Sequence, residues 1–243
     1  MRPFAIEKIP EFFMKILPHI SVTLEYVVLA FLFGLFSGTL VALAKISRNA
    51  VLRGIAYGYT TVMRCTPSIV LLFLVYYGLP RLLEAVTGIK LDSTEKVKFI
   101  VITLSMFCTA SLSEVIRSAY ESLDKSQMEA AASVGLTRPQ AFFHILLPQM
   151  LYSAVPNLCN TLLILLKEGS LAYTIGLFDL LGQANYIIGL NMGAYVIEVY
   201  VALILIYWPL AILIGALAKR LEKRLDYNTR QYKPAKRRVA HGN

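Results

Sequence analysis

The chain has 243 residues, 57% of them hydrophobic and only 16% charged, with a mean hydropathy of +0.61 and a formal net charge of +9. That balance excludes an ordinary soluble domain, and apolar runs able to cross a hydrocarbon core of about 30 Å, roughly 20 residues each, indicate an all-α membrane protein. The positive charge does not indicate nucleic acid here: nine of the 24 Lys and Arg fall between Lys219 and Arg238, where they read as a cytoplasmic flank.

In chain order, residues 1–19 mix charges and prolines into apolar residues. They lack the clean apolar core and small-residue cleavage site of a secretory signal, and read as an interfacial amphipathic segment. Five spans are expected at Ile20–Ala44, Ala56–Leu79, Val97–Ile116, Met150–Leu166 and Ala194–Leu217, within one membrane domain of residues 20–218. A basic tail, residues 219–243, follows. With the tail in the cytoplasm, five crossings place the amino terminus outside. The loop KISRNAVLR then falls inside and RLLEAVTGIKLDSTEK outside, the latter balancing Arg81, Lys90 and Lys96 against Glu84, Asp92 and Glu95. Cys65, Cys108 and Cys159 lie inside predicted spans without CxxC spacing, so neither a disulfide framework nor a metal site is indicated.

Polar residues inside the spans are candidates for a solute path. Arg64 falls about eight residues into the predicted second span, where an arginine costs at least about 2.5–3.5 kcal/mol and needs a partner or a wet cavity. Thr66 and Pro67 follow, and a proline there removes a helical hydrogen bond, as in the discontinuous helices that line transporter sites. Glu114 and Arg117 share a helix face at i, i+3, so Glu114 belongs either to the path or to a structural pair. Asn160, with Asn157, serves either the path or contacts between helices. Lys167, Glu168 and Ser170 surround Gly169 at the end of the fourth span. An anionic group on such a solute would find donors in Arg64 and Lys167. A cationic group would find acceptors in Glu114, Glu168 and exposed carbonyls. The Gly-punctuated run LAYTIGLFDLLGQANYIIGLNMG is too polar for a span and reads as an outer gate or re-entrant element, while Glu25 and Glu198 can snorkel to an interface.

The segment EAAASVGLTRPQAFFHILLPQ, residues 129–149, separates spans three and four. Ser126 to Glu129 has capping-box form, Gly135 suits a left-handed helix end with Leu136 as its apolar contact, and Thr137 to Gln140 offers a second capping box. Two short helices follow, too short to be stable alone. The small apolar face of Met128, Ala131, Ala132 and Val134 packs either into a groove of a soluble partner or onto the protein's own cytoplasmic side.

The pattern of Glu129-Ala130-Ala131, Gly135 and Ile145-Leu-Leu-Pro148 resembles the EAA loop of permease subunits of bacterial ATP-binding-cassette importers. Arg64-Cys-Thr-Pro67, Tyr76-Tyr-Gly-Leu-Pro80, Ser113-Glu-Val-Ile-Arg117 and Lys167-Glu-Gly-Ser-Leu-Ala172 are similar to elements of the polar amino-acid permeases. Cys65, Leu72 and Ser126 depart from that pattern. The resemblance implies five transmembrane helices with a coupling helix in the loop 121–148. Gln127, Glu129, Ala130, Ala131, Gly135 and Leu136 would dock on the ATPase.

It further implies two ATPase subunits carrying ATP and magnesium, a second permease (identical or a paralogue), an extracytoplasmic binding protein and a bacterial inner-membrane location. This chain would itself bind no cofactor and catalyse no reaction. It has no G-x-x-x-x-G-K-[ST] phosphate loop, consistent with energy supplied by another chain. Leu72 and the Lys-Glu-Gly-Ser variant lean the cargo toward cystine and related sulfur amino acids. An ion-driven secondary transporter is the rival reading but leaves the coupling segment unexplained, and an intramembrane hydrolase lacks its histidines in mid-span.

Overall fold

The computed structural model describes residues 4–88, 94–124 and 126–230, and within them only helices and their connections occur. Lys90, Asp92 and the tail beyond residue 230 lie outside the described residues. Helix α1 (Ile9–Ile16) leads through a tight turn into α2 (Ile20–Ile46), and α3 (Ala50–Cys65) returns. The second crossing continues as α4 (Ser68–Phe73), a π-turn (Leu74–Gly78) and α5 (Leu79–Thr87), and α6 (Lys96–Glu121) is the third. Then come α7 (Ser126–Ser133), α8 (Arg138–Ala141), a second π-turn (Phe142–Leu146) and α9 (Leu147–Glu168). A 3-10 segment (Gly169–Ile175), α10 (Leu180–Leu190) and the long α11 (Val196–Arg230) complete the order.

Among the described residues, five runs are long and apolar enough to cross a membrane: Ile6–Ile46, Ser68–Thr87, Lys96–Glu121, Arg138–Ile175 and Val196–Leu225. Their number agrees with the sequence reading, but the second differs in place. The apolar stretch Ala56–Leu79 is not one helix: α3 ends at Cys65 and a new helix begins at Ser68. Pro67 has no N–H for the carbonyl a turn earlier and forces Thr66 into an extended conformation. Thr66 (ψ 127°) and Pro67 (ψ 136°) are both extended. The fourth run is also longer than expected, because Pro148 does not end it. Each π-turn stops two residues before a proline, Pro80 or Pro148. The wide turn redistributes carbonyls that the proline would leave without a donor, so the helix continues.

The core forms along α2 and α6. Ala30, Gly34, Gly38 and Ala42 recur every fourth residue and are buried, which lets the two backbones approach closely. A Cβ built on Gly34 would sit 2.4 Å from the Cβ of Cys108. Gly34→Ala is therefore expected to destabilise the protein by about 1–3 kcal/mol through overpacking. Pairing it with Cys108→Gly, which removes the clashing atom, should restore much of the loss in a thermal-unfolding assay in detergent; no recovery would show that the two positions do not meet.

A second cluster joins Ile9, Phe12 and Ile16 of α1 to Leu180 and Ala184 of α10 and Val199 and Ala202 of α11. The amphipathic amino-terminal helix thus buries its apolar face in the fold. Glu198 is buried and accepts a bond from the Ala5 N–H at 2.8 Å, so it is anchored inside rather than reaching for an interface.

Candidate functional site

The helix break is the starting point. Thr66 Oγ1 donates to the Val62 carbonyl at 2.7 Å, closing the last turn of α3. Two residues later Ser68 Oγ donates to the carboxylate of Glu168, which α9 delivers at its final position. Thr66, Ser68 and Glu168, with Ser111 of α6 and Thr161 of α9, line a cavity of about 210 Å³ whose remaining wall includes Phe107 and Cys108. A carboxylate with hydroxyls around it can accept bonds from an ammonium or guanidinium group.

Of the residues singled out in the sequence, the structure thus brings Thr66 and Glu168 together, with Pro67 creating the break between them. Arg64 is exposed on the last turn of α3 and, among the described residues, makes no ion pair or hydrogen bond. Asn160 and Lys167 are exposed on α9, and Ser170 Oγ bonds the Lys167 carbonyl at 2.6 Å. These side chains flank the cavity in sequence but do not line it. Ser68, Ser111 and Thr161 were not anticipated; Ser68 had a signal, since it is the first residue after the proline break. Leu72, which carried part of the cystine argument, is fully buried in the core and is absent from the cavity wall.

Glu114 lies elsewhere. Its Oε1 accepts from Lys45 Nζ at 2.5 Å, and its Oε2 meets the Arg117 guanidinium at 2.8 Å. Lys45 has a fully buried side chain, bonds Ser113 Oγ at 3.0 Å and stands 5.3 Å from the Tyr57 ring centroid. Arg117 also pairs with Glu121. The expected Glu114–Arg117 pair is present, but its main counter-charge is Lys45, a long-range partner that helical spacing could not reveal.

The segment between the third and fourth runs forms two short helices, as expected from its caps. Gly135 adopts φ +82°. Leu136 N–H bonds the Ala131 carbonyl and Gly135 N–H bonds that of Ala132, both at 3.0 Å, which is the Schellman ending. Thr137 and Gln140 form the capping box. The first cap differs: Asp124 Oδ1 accepts the Ser126 N–H at 2.9 Å, which also holds the Asp124 carboxyl below the usual range.

Two of the expected docking residues turn inward. Ala131 is buried, and Gln127 exchanges amide bonds with Gln149 at 2.7 and 3.2 Å, fastening α7 to the start of α9. Glu129, Ala130 and Gly135 are exposed, Leu136 is half-buried, and Val134 is 76% exposed beside them.

Among solved structures, the chain superposes on a crystal structure of an amino acid ABC transporter with histidines at a TM-score of 0.78 and 27% identity. The match covers 92% of this chain and 100% of that one. The architecture is therefore that of an ABC transporter permease. Over residues 27–227 the sequence matches the binding-protein-dependent transport system inner membrane component family, and the protein belongs to that family. Similar curated proteins include the L-cystine transport system permease protein TcyL of Bacillus subtilis (strain 168), 35% identical over 93% of this chain and 94% of the relative. The arginine transport system permease protein ArtQ of the same organism is 34% identical over 88% and 93%.

Proposed function

We propose that this chain is the permease subunit of an ATP-driven importer of a polar amino acid. The observation that carries the reading is the helix break, where Ser68 and Glu168 face a largely apolar cavity edged with hydroxyls and Arg64, Asn160 and Lys167 stand nearby in the chain without side-chain partners among the described residues. Exposed charges on membrane helices require water or a partner chain. A second permease covering this face would enclose a path, with Glu168 and the hydroxyls receiving the ammonium end of the cargo. Arg64 and Lys167 would receive its carboxylate.

Energy would come from two ATPase subunits carrying ATP and magnesium, docked on the exposed face of α7. An extracytoplasmic binding protein would deliver cargo at the opposite end. In the bacterial inner membrane, the basic end of α11 would then be cytoplasmic and the amino terminus outside. The relatives named for cystine and for arginine are nearly equal in identity, so they support the polar amino-acid class more strongly than one member. Cystine is the first cargo to test, on the strength of TcyL.

The test is uptake of an amino-acid panel into proteoliposomes holding the permease with its ATPase and binding protein. Glu168→Gln is expected to lower uptake at least about tenfold, the scale of a hydrogen bond to a charged group, while the ATPase still co-purifies. Uptake that ignores ATP, or that survives Glu168→Gln at the wild-type rate and affinity, would contradict the site.

A further inference from the structure

Between the fourth and fifth runs a carboxylate is buried without a cation. Asp179 is 0% exposed and, among the described residues, forms no ion pair. Its Oδ1 accepts the Gly182 N–H at 2.8 Å, capping α10, and its Oδ2 accepts the Tyr26 hydroxyl of α2 at 2.9 Å. Burial pushes the Asp179 carboxyl up to about 6, against the pull of these donors.

Two further bonds hold the same element. Leu180 N–H donates to Thr23 Oγ1 of α2 at 3.3 Å, and Lys96 Nζ of α6 donates to the Gly176 carbonyl at 2.8 Å. Gly169 lies so close to Tyr26 that a Cβ there would sit 2.3 Å from the ring. Residues 169–190 are thus fastened to α2 and α6 by side-chain bonds, with Gly176 at φ +76° as the bend between the 3-10 segment and α10.

Tyr207 of α11 reaches the same place. Its ring packs against both core clusters, the one that holds Tyr26 and the one that holds Leu180, the neighbour of Asp179. The Tyr207 hydroxyl is buried and, among the described residues, has no hydrogen-bond partner. Leaving a buried donor idle costs free energy, whereas exchanging one hydroxyl for another on the same carboxylate makes one bond as it breaks one. Passage of the carboxylate from one hydroxyl to the other would make this a discrete two-position contact rather than a continuously deformable one.

We infer that Asp179 is the positioning residue of the outer gate: it holds the element Gly169–Leu190 on the first span through Tyr26, and transfers to the Tyr207 hydroxyl of the fifth span when that element moves. This rests on the importer reading for the direction of movement, but the exchange itself is a property of these three side chains.

The experiment compares wild type, Tyr207→Phe, Asp179→Asn and the double variant as full complexes with ATPase and binding protein. Tyr207→Phe removes no bond present in this state, so a merely structural role predicts unchanged uptake and equal or greater heat stability. The latch predicts the same stability and substrate affinity with turnover lowered about fivefold, the effect of losing roughly one modest hydrogen bond. It also predicts a double variant no slower than Asp179→Asn alone. Wild-type turnover in Tyr207→Phe, or fully additive losses, would overturn it.

Spin labels at Leu24→Cys and Tyr186→Cys, in a chain with Cys65, Cys108 and Cys159 replaced by Ala, read the gate without transport. The α2–α10 distance should change between nucleotide-free and vanadate-trapped complexes, and Tyr207→Phe should suppress the change. If wild type imports no amino acid yet the distance responds in this way, the importer reading fails and the latch stands; a distance indifferent to Tyr207→Phe removes the latch.

Discussion

Gly135→Val is expected to cost the protein its ATPase partner, with co-purification reduced tenfold or more, while Gly135→Asn should retain most of it. The difference comes from the backbone alone. A Cβ at Gly135 meets nothing within 4 Å, so space is not limiting, but φ is +82°. A left-handed conformation costs an ordinary residue about 1–2 kcal/mol; asparagine tolerates it, and a β-branched residue tolerates it worst. Helix α7 has eight residues, and a helix so short has little stability of its own to offset that strain. Fraying its end would displace Val134, Leu136 and the exposed Glu129–Ala130 edge together. As a second arm, Val134→Asp changes an outward side chain without touching the fold and should weaken docking too. Pull-down of the tagged permease, with uptake measured in parallel, reads both. Wild-type recovery of the ATPase with Gly135→Val and Val134→Asp alike would show that the docking surface lies elsewhere.

Glu114→Gln should destabilise the chain more than Lys45→Met. The Lys45 side chain is fully buried, whereas that of Glu114 is 25% exposed and keeps Arg117 as a second partner. Removing one member of a buried pair costs about 3–5 kcal/mol because the survivor is left charged in a poor solvent. With Glu114 neutralised, the stranded group is the deeply buried ammonium. With Lys45 removed, it is a half-screened carboxylate whose loss should fall near the lower bound. The double variant Lys45→Met/Glu114→Gln should be more stable than Glu114→Gln alone, because no buried charge remains without a partner. Thermal unfolding of the four proteins in one detergent gives the cycle. Equal losses for the two single variants, adding in the double, would mean that the pair does not form as described.

Local chemistry made much of this legible in the sequence. Pro67 predicts its own helix break, Gly135 its left-handed ending, and Thr137 with Gln140 their cap, because each depends on residues a few positions apart. The second span was misplaced for the complementary reason. An apolar run from Ala56 to Leu79 averages across the break, and hydropathy alone does not register that Thr66 and Pro67 are extended. Partners far apart in sequence were hidden as well. Ala131 and Gln127 looked free to dock, yet Gln127 is engaged by Gln149. Lys45 looked like a flank, yet it sits beneath Glu114, 69 residues on. The close approach of α2 and α6 was written in the four-residue spacing of Ala30, Gly34, Gly38 and Ala42, but only as a pattern of small residues without a stated neighbour.

The exposed Lys167 near the helix break, unpaired among the described residues, bears on how many copies a cell keeps. A single chain inserted ahead of its partners would leave Lys167 uncovered on α9 within the fourth apolar run, and a charge at mid-bilayer carries a penalty of about 2.5–3.5 kcal/mol on insertion scales. Assembly removes that penalty, so surplus subunits are the ones that tilt, distort the bilayer or slip partly out. Such orphans would be open to a membrane protease. Subunit stoichiometry can thus be set after synthesis by turnover of the orphans, and Lys167→Leu should lengthen the lifetime of a chain expressed without its partners.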